Sequence, residues 1–325
     1  MLKRSAHLRL WVTATVLAGL VAACESGPAT FDGIVLVANA VSRDVAIFQG
    51  PSFKAAGRVQ LPGSPQGLAV QPGGERAWVA IKDTNTVEVI DLAQLRILRS
   101  IRVCKAPADI GFSAEKALVV CDDGYSVAID VRTLARVGGR TAIGFAPRTI
   151  EPGPRGHLWT ANRGTNDLSE IDPAGNTLVD RFPAAPFAYG LAFTPDNRYA
   201  FVTSKGWNAV AVLRTEDMEI LGSVEVPEDP AQVVISPDGA RVYVASRTGQ
   251  GVVSVINART FQLIETVEQV GKDPESLALS PDGRLLFVAV HGGGALTIID
   301  TDTYEVTRRL AGEGPIAVAV PAALI

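Results

Sequence analysis

The stretch Pro230-Ala-Gln-Val-Val-Ile-Ser-Pro-Asp-Gly239 continues into Ala240-Arg-Val-Tyr-Val-Ala-Ser246. Both halves recur without a gap as Pro274-Glu-Ser-Leu-Ala-Leu-Ser-Pro-Asp-Gly283 and Arg284-Leu-Leu-Phe-Val-Ala-Val290. Each copy predicts two short apolar strands joined by a tight turn. In the turn Pro presets φ, Asp bonds its own backbone and Gly takes the left-handed conformation. The sequence is therefore built from repeated units.

Weaker copies of this unit run through most of the chain. A matched aliphatic position recurs at intervals of 40 to 44 residues, at Leu68, Ile110, Ile150, Leu191, Val233, Leu277 and Val318. A period near 40 with four short strands per unit is typical of a β-propeller blade. The first two strands are almost continuously apolar because blades pack face to face, whereas the fourth strand is polar because it meets solvent.

The number of units predicts an all-β, seven-bladed β-propeller. Six complete units run from Pro65 to Gly314. The segments before them match strands two, three and four of a unit, and residues 316–320 match strand one. The seventh blade is therefore expected to be composite, with one C-terminal and three N-terminal strands, because an open ring would leave unpaired edges. Residues 33–325 form this domain.

The repeats resemble the YVTN-type β-propeller repeat family. Val242-Tyr-Val-Ala-Ser246 and Trp78-Val-Ala80 are close matches to its signature, and the resemblance covers residues 33–320. The copy at residues 148–182 departs most from the pattern. Because propellers include enzymes, receptors and scaffolds, the resemblance implies a fold and leaves the function open.

The N-terminus has the features of a targeting segment. Lys3, Arg4 and Arg9 form a positive region, and an uncharged, mostly apolar run follows at residues 10–23. This run suits a signal peptide and is short for a membrane span. It ends in Leu20-Val-Ala-Ala-Cys24, which resembles the bacterial lipobox. Ordinary secretion with an incidental cysteine is the alternative.

The lipobox resemblance implies a lipid anchor and a place in the cell envelope. Residues 1–23 would be a lipoprotein signal peptide, and residues 24–32 would be the lipidated Cys24 followed by a tether. Several acyl chains suffice for stable membrane anchoring. Glu25 follows the cysteine, and by resemblance to Gram-negative sorting rules this implies the outer membrane, on its periplasmic face or exposed on it. In an oxidising compartment the remaining Cys104 and Cys121 are expected to form a disulfide, with two buried thiols as the alternative.

Composition and motifs exclude several functions. The chain has 325 residues and a net charge of −4, and removal of the N-terminal cations would make it more acidic. It has no basic run that would bind nucleic acid. It contains no HExxH, P-loop or CxxC motif. His291-Gly-Gly-Gly294 has no accompanying Gly-x-Ser-x-Gly nucleophile. No cofactor or metal is expected, and a monomer is expected.

One face of the ring is the predicted binding surface. The loops from strand two to three and from strand four to the next strand one should share a face, called here the loop face. We expect it to bind a protein or glycan partner without catalysis. The alternative is that these loops are merely polar and solvated. The residues proposed to bind are Lys82, Arg163, Lys205, Trp207, Arg247 and His291.

The competing hypothesis is a lactonase-like or other propeller hydrolase or lyase with its site at the channel mouth. Glu151 stands in an axial position where the other units have Ala, Gly or Val, and such a carboxylate can act as a base or remain structural. The polar positions just after each repeat start are Gln66, Asp109, Arg148, Tyr189, Gln232 and Glu275. The candidate catalytic set is Glu151, Arg148, Asp109, Glu275 and His291.

Overall fold

A computed structural model describes residues 29–321, so the predicted signal peptide (residues 1–23) and Cys24 lie outside the described residues. Seven four-stranded antiparallel sheets form the fold, and a single 3-10 turn lies at Pro154–Gly156. The predicted seven-bladed, all-β propeller is confirmed. No helix in the described part of the chain is long and apolar enough to cross a membrane.

The ring is closed by a composite blade, as predicted. Its three N-terminal strands are β1 (Ile34–Asn39), β2 (Asp44–Gln49) and β3 (Lys54–Gln60). The chain's last strand pairs with β1, and Val318 lies opposite Val37. Val318 is 5% exposed and Val37 is fully buried, so the joint between the two ends of the chain belongs to the core.

The six complete blades share one topology, in which four consecutive strands pair in order from the axis outwards. Blade 1 contains β4 (Pro65–Val70), β5 (Arg76–Ile81), β6 (Thr86–Asp91) and β7 (Arg96–Arg102). Blade 2 contains β8 (Pro107–Phe112), β9 (Lys116–Cys121), β10 (Tyr125–Asp130) and β11 (Arg136–Ala142). Blade 3 contains β12 (Pro147–Pro152), β13 (Leu158–Asn162), β14 (Asp167–Asp172) and β15 (Thr177–Pro183).

The remaining blades repeat the pattern. Blade 4 contains β16 (Ala188–Phe193), β17 (Tyr199–Ser204), β18 (Ala209–Arg214) and β19 (Glu219–Glu225). Blade 5 contains β20 (Pro230–Ile235), β21 (Arg241–Ser246), β22 (Val252–Asn257) and β23 (Gln262–Val267). Blade 6 contains β24 (Pro274–Leu279), β25 (Leu285–Val290), β26 (Ala295–Asp300) and β27 (Val306–Leu310), and β28 (Pro315–Ala319) completes the composite blade 7.

The core lies between the blades. Trp78 of blade 1 packs in one apolar cluster with Val119 and Ile129 of blade 2, and all three side chains are fully buried. Burying a side chain of this kind contributes about 1.5–3 kcal/mol relative to its exposure. Each blade therefore depends on its neighbours.

The Ser-Pro-Asp-Gly turns lie on the face opposite the loop face, called here the turn face. In blades 5 and 6 the Ser hydroxyl donates to the Asp carboxylate two residues later, at 2.5 Å for Ser236 and Asp238. Gly239 has φ +67°, and a side chain there would also approach Pro195 of the preceding blade at 3.1 Å. The turn needs glycine for both reasons.

Part of the predicted tether packs against the propeller. The Phe31 ring lies 5.7 Å from that of Phe287 and 6.4 Å from that of Phe53, measured between centroids. This places residues 29–33 against the turn-face side of blades 6 and 7.

Candidate functional site

The loop face is defined by hydrogen bonds between its two kinds of loop. The amide of Arg247, which follows strand two of blade 5, donates to the carbonyl of Asp229, which precedes strand one. The amide of Lys82 donates to the carbonyl of Ser64 in the same way in blade 1. The loops therefore meet around the channel mouth.

Side chains from the innermost strands surround a small cavity of about 80 Å³ at this mouth. The strands approach closely because glycine is present where they meet. A Cβ on Gly67 would lie 2.5 Å from the carbonyl oxygen of Ala108, and one on Gly190 would lie 2.8 Å from that of Ala231. The cavity brings together all six polar positions that follow the repeat starts: Gln66, Asp109, Arg148, Tyr189, Gln232 and Glu275.

Tyr189 is the centre of a hydrogen-bonded network across blades 3 to 6. Arg148 Nη2 donates to its hydroxyl at 2.8 Å, and the hydroxyl donates to Glu275 Oε1 at 2.5 Å. Arg247 Nη1 donates to the other carboxylate oxygen of Glu275 at 2.7 Å. Burial raises the pKa of Tyr189, so its hydroxyl keeps its proton at neutral pH.

The cations predicted to bind a partner are largely paired within the protein. Arg247 Nε lies 2.8 Å from Asp229 Oδ2, and Lys205 Nζ lies 2.7 Å from the other oxygen of that carboxylate. The Lys82 ammonium lies 3.7 Å from Asp122. These pairs neutralise much of the positive charge that the sequence places on the loop face.

Three of the candidate catalytic residues meet at the same mouth. Arg148, Glu275 and His291 line a wider recess of about 460 Å³ above the small cavity. In residues 29–321 Arg148 has no carboxylate within 4 Å, and its Nε has no hydrogen-bond partner. Asp109 borders the inner cavity, and its Oδ2 accepts a hydrogen bond from the amide of Ile150 at 3.1 Å.

The fifth candidate, Glu151, faces a different cavity. Glu151 lines a space of about 300 Å³ whose other walls are mostly apolar, including Phe193, Val234 and Leu279. The five candidate side chains therefore do not form one cluster. Glu275 and His291 lie at the loop-face mouth, whereas Glu151 lies further along the axis.

Burial perturbs the two carboxyl groups inside the channel. It raises the pKa of Asp109 to about 6, against the lowering effect of hydrogen bonds from the Ile110 and Ile150 amides. Burial and the nearby charge of Asp109 raise the pKa of Glu151 to about 8. Carboxyl groups of this kind can exchange protons near neutral pH.

Exposed aromatic side chains are a feature of the loop face that the sequence reasoning missed. Trp207, one of the residues proposed to bind, is 46% exposed, and Phe145 and Phe187 are also exposed, at 57% and 55%. Phe145 stands two residues before strand one, where other units have Gly, Lys, Pro or Glu, and Phe187 stands one residue before it, where other units have Ser, Ala, Asp or Gly. Comparing these positions between units would have identified them as departures from the repeat.

The cysteine pair lies beside the loop face. Cys104 and Cys121 are joined by a disulfide with Cα atoms 5.9 Å apart. Together with Asp123 they form the group that could approach a metal ion in residues 29–321, but the disulfide leaves no free thiolate. His157 lies on the turn face, where its Nδ1 is 2.7 Å from Glu170.

Residues 205–313 match the family described as Lactonase, 7-bladed beta-propeller. The match covers about a third of the chain. A protein named "Uncharacterized protein YncE" from Salmonella typhimurium is 26% identical over 235 residues, 71% of this chain. The matched region spans 58% of that relative's length, as it does for the Salmonella typhi protein of the same name.

Solved structures share the fold at low identity. A putative 6-phosphogluconolactonase from Bacteroides fragilis has a TM-score of 0.74 and 16% identity, covering 89% of this chain and 97% of its own. The Kuenenia stuttgartiensis hydrazine synthase has a TM-score of 0.74 and 20% identity, covering 83% of this chain and 92% of its own. Such a likeness establishes the propeller fold alone.

Proposed function

We propose that this chain is a lipid-anchored, YVTN-type propeller of the cell envelope that binds a protein or glycan partner on its loop face without catalysis. The observation that carries this proposal is the mutual pairing of charges at the channel mouth. Glu275 is held by Tyr189 and Arg247, and Asp229 is held by Arg247 and Lys205. Such a network fixes the loops and presents the exposed side chains around it as a rigid platform.

The pairing decides which of the predicted binding residues can contact a partner. Trp207 and Arg163 are exposed, and Arg163 has no ion pair in the part of the chain that the structure describes. Arg247 has a structural role as well, because its removal would leave Glu275, which is 8% exposed, without its cation. The variants that test binding are therefore Trp207→Ala and Arg163→Ala.

The test is affinity capture from detergent-solubilised envelopes with the purified protein as bait. We expect one reproducible partner, lost with Trp207→Ala combined with Arg163→Ala. It should be retained with Arg259→Ala, an exposed cation in a loop on the turn face. Equal capture by all three baits would contradict binding on the loop face.

The anchor belongs to the same proposal. If Cys24 carries lipid, the wild-type protein incorporates labelled fatty acid and fractionates with membranes, whereas Cys24→Ala does neither. A wild-type protein that incorporates no label would leave ordinary secretion as the explanation of residues 1–23. Separation of inner and outer membranes then tests the outer-membrane location.

A lactonase is the second candidate, favoured by the family match at residues 205–313 and by the perturbed carboxyl pair. In that reaction a water molecule adds to the lactone carbonyl, the ring C–O bond breaks and a hydroxy acid is released. Glu151 or Asp109 would take the proton from water. Hydrolysis of γ- or δ-lactones that is abolished by Glu151→Gln and unaffected by Trp207→Ala would establish the enzyme and reject the binding module.

A further inference from the structure

The three exposed aromatic side chains, called here the aromatic stripe, are Phe145, Phe187 and Trp207. Each is between 46% and 57% exposed. Every other aromatic side chain in residues 29–321 is buried or half-buried. All three lie in loops of the loop face, and the turn face has no exposed aromatic residue in the described chain. Exposed aromatic groups gathered on one face indicate an interaction surface.

Contacts between adjacent loops connect the three aromatic residues. The amide of Gly164 donates to the carbonyl of Phe145, and the Phe145 ring lies directly against Gly164. In the same loop, Asn166 Oδ1 accepts a hydrogen bond from the amide of Phe187 at 2.7 Å. The Phe187 ring then lies against Gly206, next to the tryptophan, within 3.2 Å of where a Cβ would stand. The stripe therefore crosses blades 3 and 4.

The fold does not require aromatic residues at these positions. Trp207 occupies the place that Thr84 has in blade 1, in a loop of the same length. Phe187 has φ +53°, in the left-handed region that Asp229 and Asp273 occupy at the same place in later blades. Aspartate is better suited than phenylalanine to that conformation. Polar residues would therefore complete both loops.

The polar groups beside the stripe are already used within the protein. Ser204 Oγ donates to the carbonyl of Pro186 and accepts from the amide of Trp207. Thr165 Oγ1 donates to Asp167. A sugar needs hydrogen-bonding groups around the ring on which it stacks, and few remain here. Two of the three aromatic residues are phenylalanine, which has no polar atom to offer. The surface therefore suits apolar side chains of a protein better than a glycan.

The charge of the stripe is positive. The stripe and its contacts lie in four loops, at residues 143–146, 163–166, 184–187 and 205–208. These loops carry two formal charges, Arg163 and Lys205, and Lys205 is paired with Asp229. Arg163 lies in the loop between the two phenylalanines and is exposed. A complementary ligand therefore carries an acidic group between apolar ones.

We propose that the aromatic stripe binds an extended segment of a partner protein. Apolar side chains of that segment contact the three rings, and an acidic side chain between them pairs with Arg163. The inference rests on the proposed binding function and specifies the partner's chemistry.

The probe is a random peptide library displayed on phage and selected against the full chain. Enriched peptides should carry Asp or Glu flanked by apolar residues. Their affinity, followed by anisotropy of a labelled peptide, should fall by more than about tenfold in Phe187→Asp combined with Trp207→Thr. Both substitutions introduce residues that the chain already uses at the equivalent places, so the fold is retained.

Charge reversal gives a second readout. Arg163→Glu should weaken binding of the acidic peptide and strengthen binding of the same peptide with Lys at its acidic position, whereas Arg259→Glu on the turn face should change neither affinity.

Enriched peptides that bind the double variant as tightly as wild type would overturn the inference. Lys82 lies on the loop face outside the stripe. If Lys82→Ala abolished peptide binding instead, the inference would be wrong and the proposed binding function would survive. Stripe-dependent dimerisation or glycan binding would overturn the inference too, and lactone turnover without any peptide binding would overturn both.

Discussion

Exchanging Glu151 for Gln should change how the protein's stability depends on pH. The folded-state pKa of Glu151 is about 8, against an ordinary value of 4.5. Below about pH 4.5 the carboxyl is protonated in both the folded and the unfolded chain, and it contributes no difference. Between about pH 4.5 and 8 the unfolded chain ionises while the folded chain keeps its proton. The free energy of unfolding therefore falls as pH rises through this interval.

As the pH rises from 4.5 to about 8, the free energy of unfolding falls by ~5 kcal/mol. For a propeller of this size that loss is equivalent to roughly 8 °C in melting temperature. Glu151→Gln cannot ionise, so it should be progressively more stable than wild type as pH is raised from 5 to 8. Glu151→Ala, the residue found at this place in other blades, should show the same trend from a different baseline.

The assay is urea unfolding followed by circular dichroism at pH 5, 6, 7 and 8, with the result expressed as variant minus wild type. Glu115→Gln is the matched control, because Glu115 is 72% exposed in a turn. Asp109→Asn should end the loss of stability at a lower pH, because it removes the charge that contributes to the raised pKa of Glu151, and it should also remove the loss that Asp109 itself causes between pH 3.8 and about 6. A difference that stays flat from pH 5 to 8 would refute the reasoning and show that Glu151 ionises in contact with solvent.

Three further changes test the fold and the mouth network. Deleting the residues after Gly314 removes β28 and should lower the melting temperature sharply or prevent folding, and an unchanged melting temperature would contradict the closure. Replacing Cys104 and Cys121 by Ser should cost about 3 kcal/mol for a loop of 17 residues, measured by urea unfolding with and without reductant. Equal stability of the two forms would argue against a disulfide in solution. Tyr189→Phe should cost about 1–3 kcal/mol, because the buried Glu275 loses a donor. A cost near zero would mean that water replaces the hydroxyl.

The repeat made the fold predictable from the sequence. The first complete blade begins at Pro65 as predicted, and β28 begins at Pro315, one residue before the predicted segment 316–320, because the units share an apolar strand pattern. The composite blade followed from the number of units and the need to pair the terminal strands. The repeat pattern and the need to close the ring predict the same strands, and the predicted strand ends differ from the observed ones by single residues.

The candidate site was less predictable because its contacts join different blades. Arg247 and Glu275 are 28 positions apart and belong to neighbouring blades. Their pairing depends on side-chain directions that a repeat does not encode. Arg148 and Glu151 lie three residues apart on one strand and border separate cavities, which the repeat pattern alone does not show. The exposed Phe145 and Phe187 interrupt the repeat, and one sequence does not show whether such a residue is buried.

The loop-face mouth and the space around Glu151 can be tested independently because they are lined by different residues. At the loop-face mouth the charged groups are largely paired and exposed aromatic side chains lie on the same face, whereas Glu151 stands among mostly apolar side chains. Substitutions in the aromatic stripe should therefore change partner binding and leave the pH profile of stability unchanged. Glu151→Gln should do the reverse. If either substitution moved both measurements, the two regions would be coupled through the strands, and a ligand bound at one end would alter proton uptake at the other.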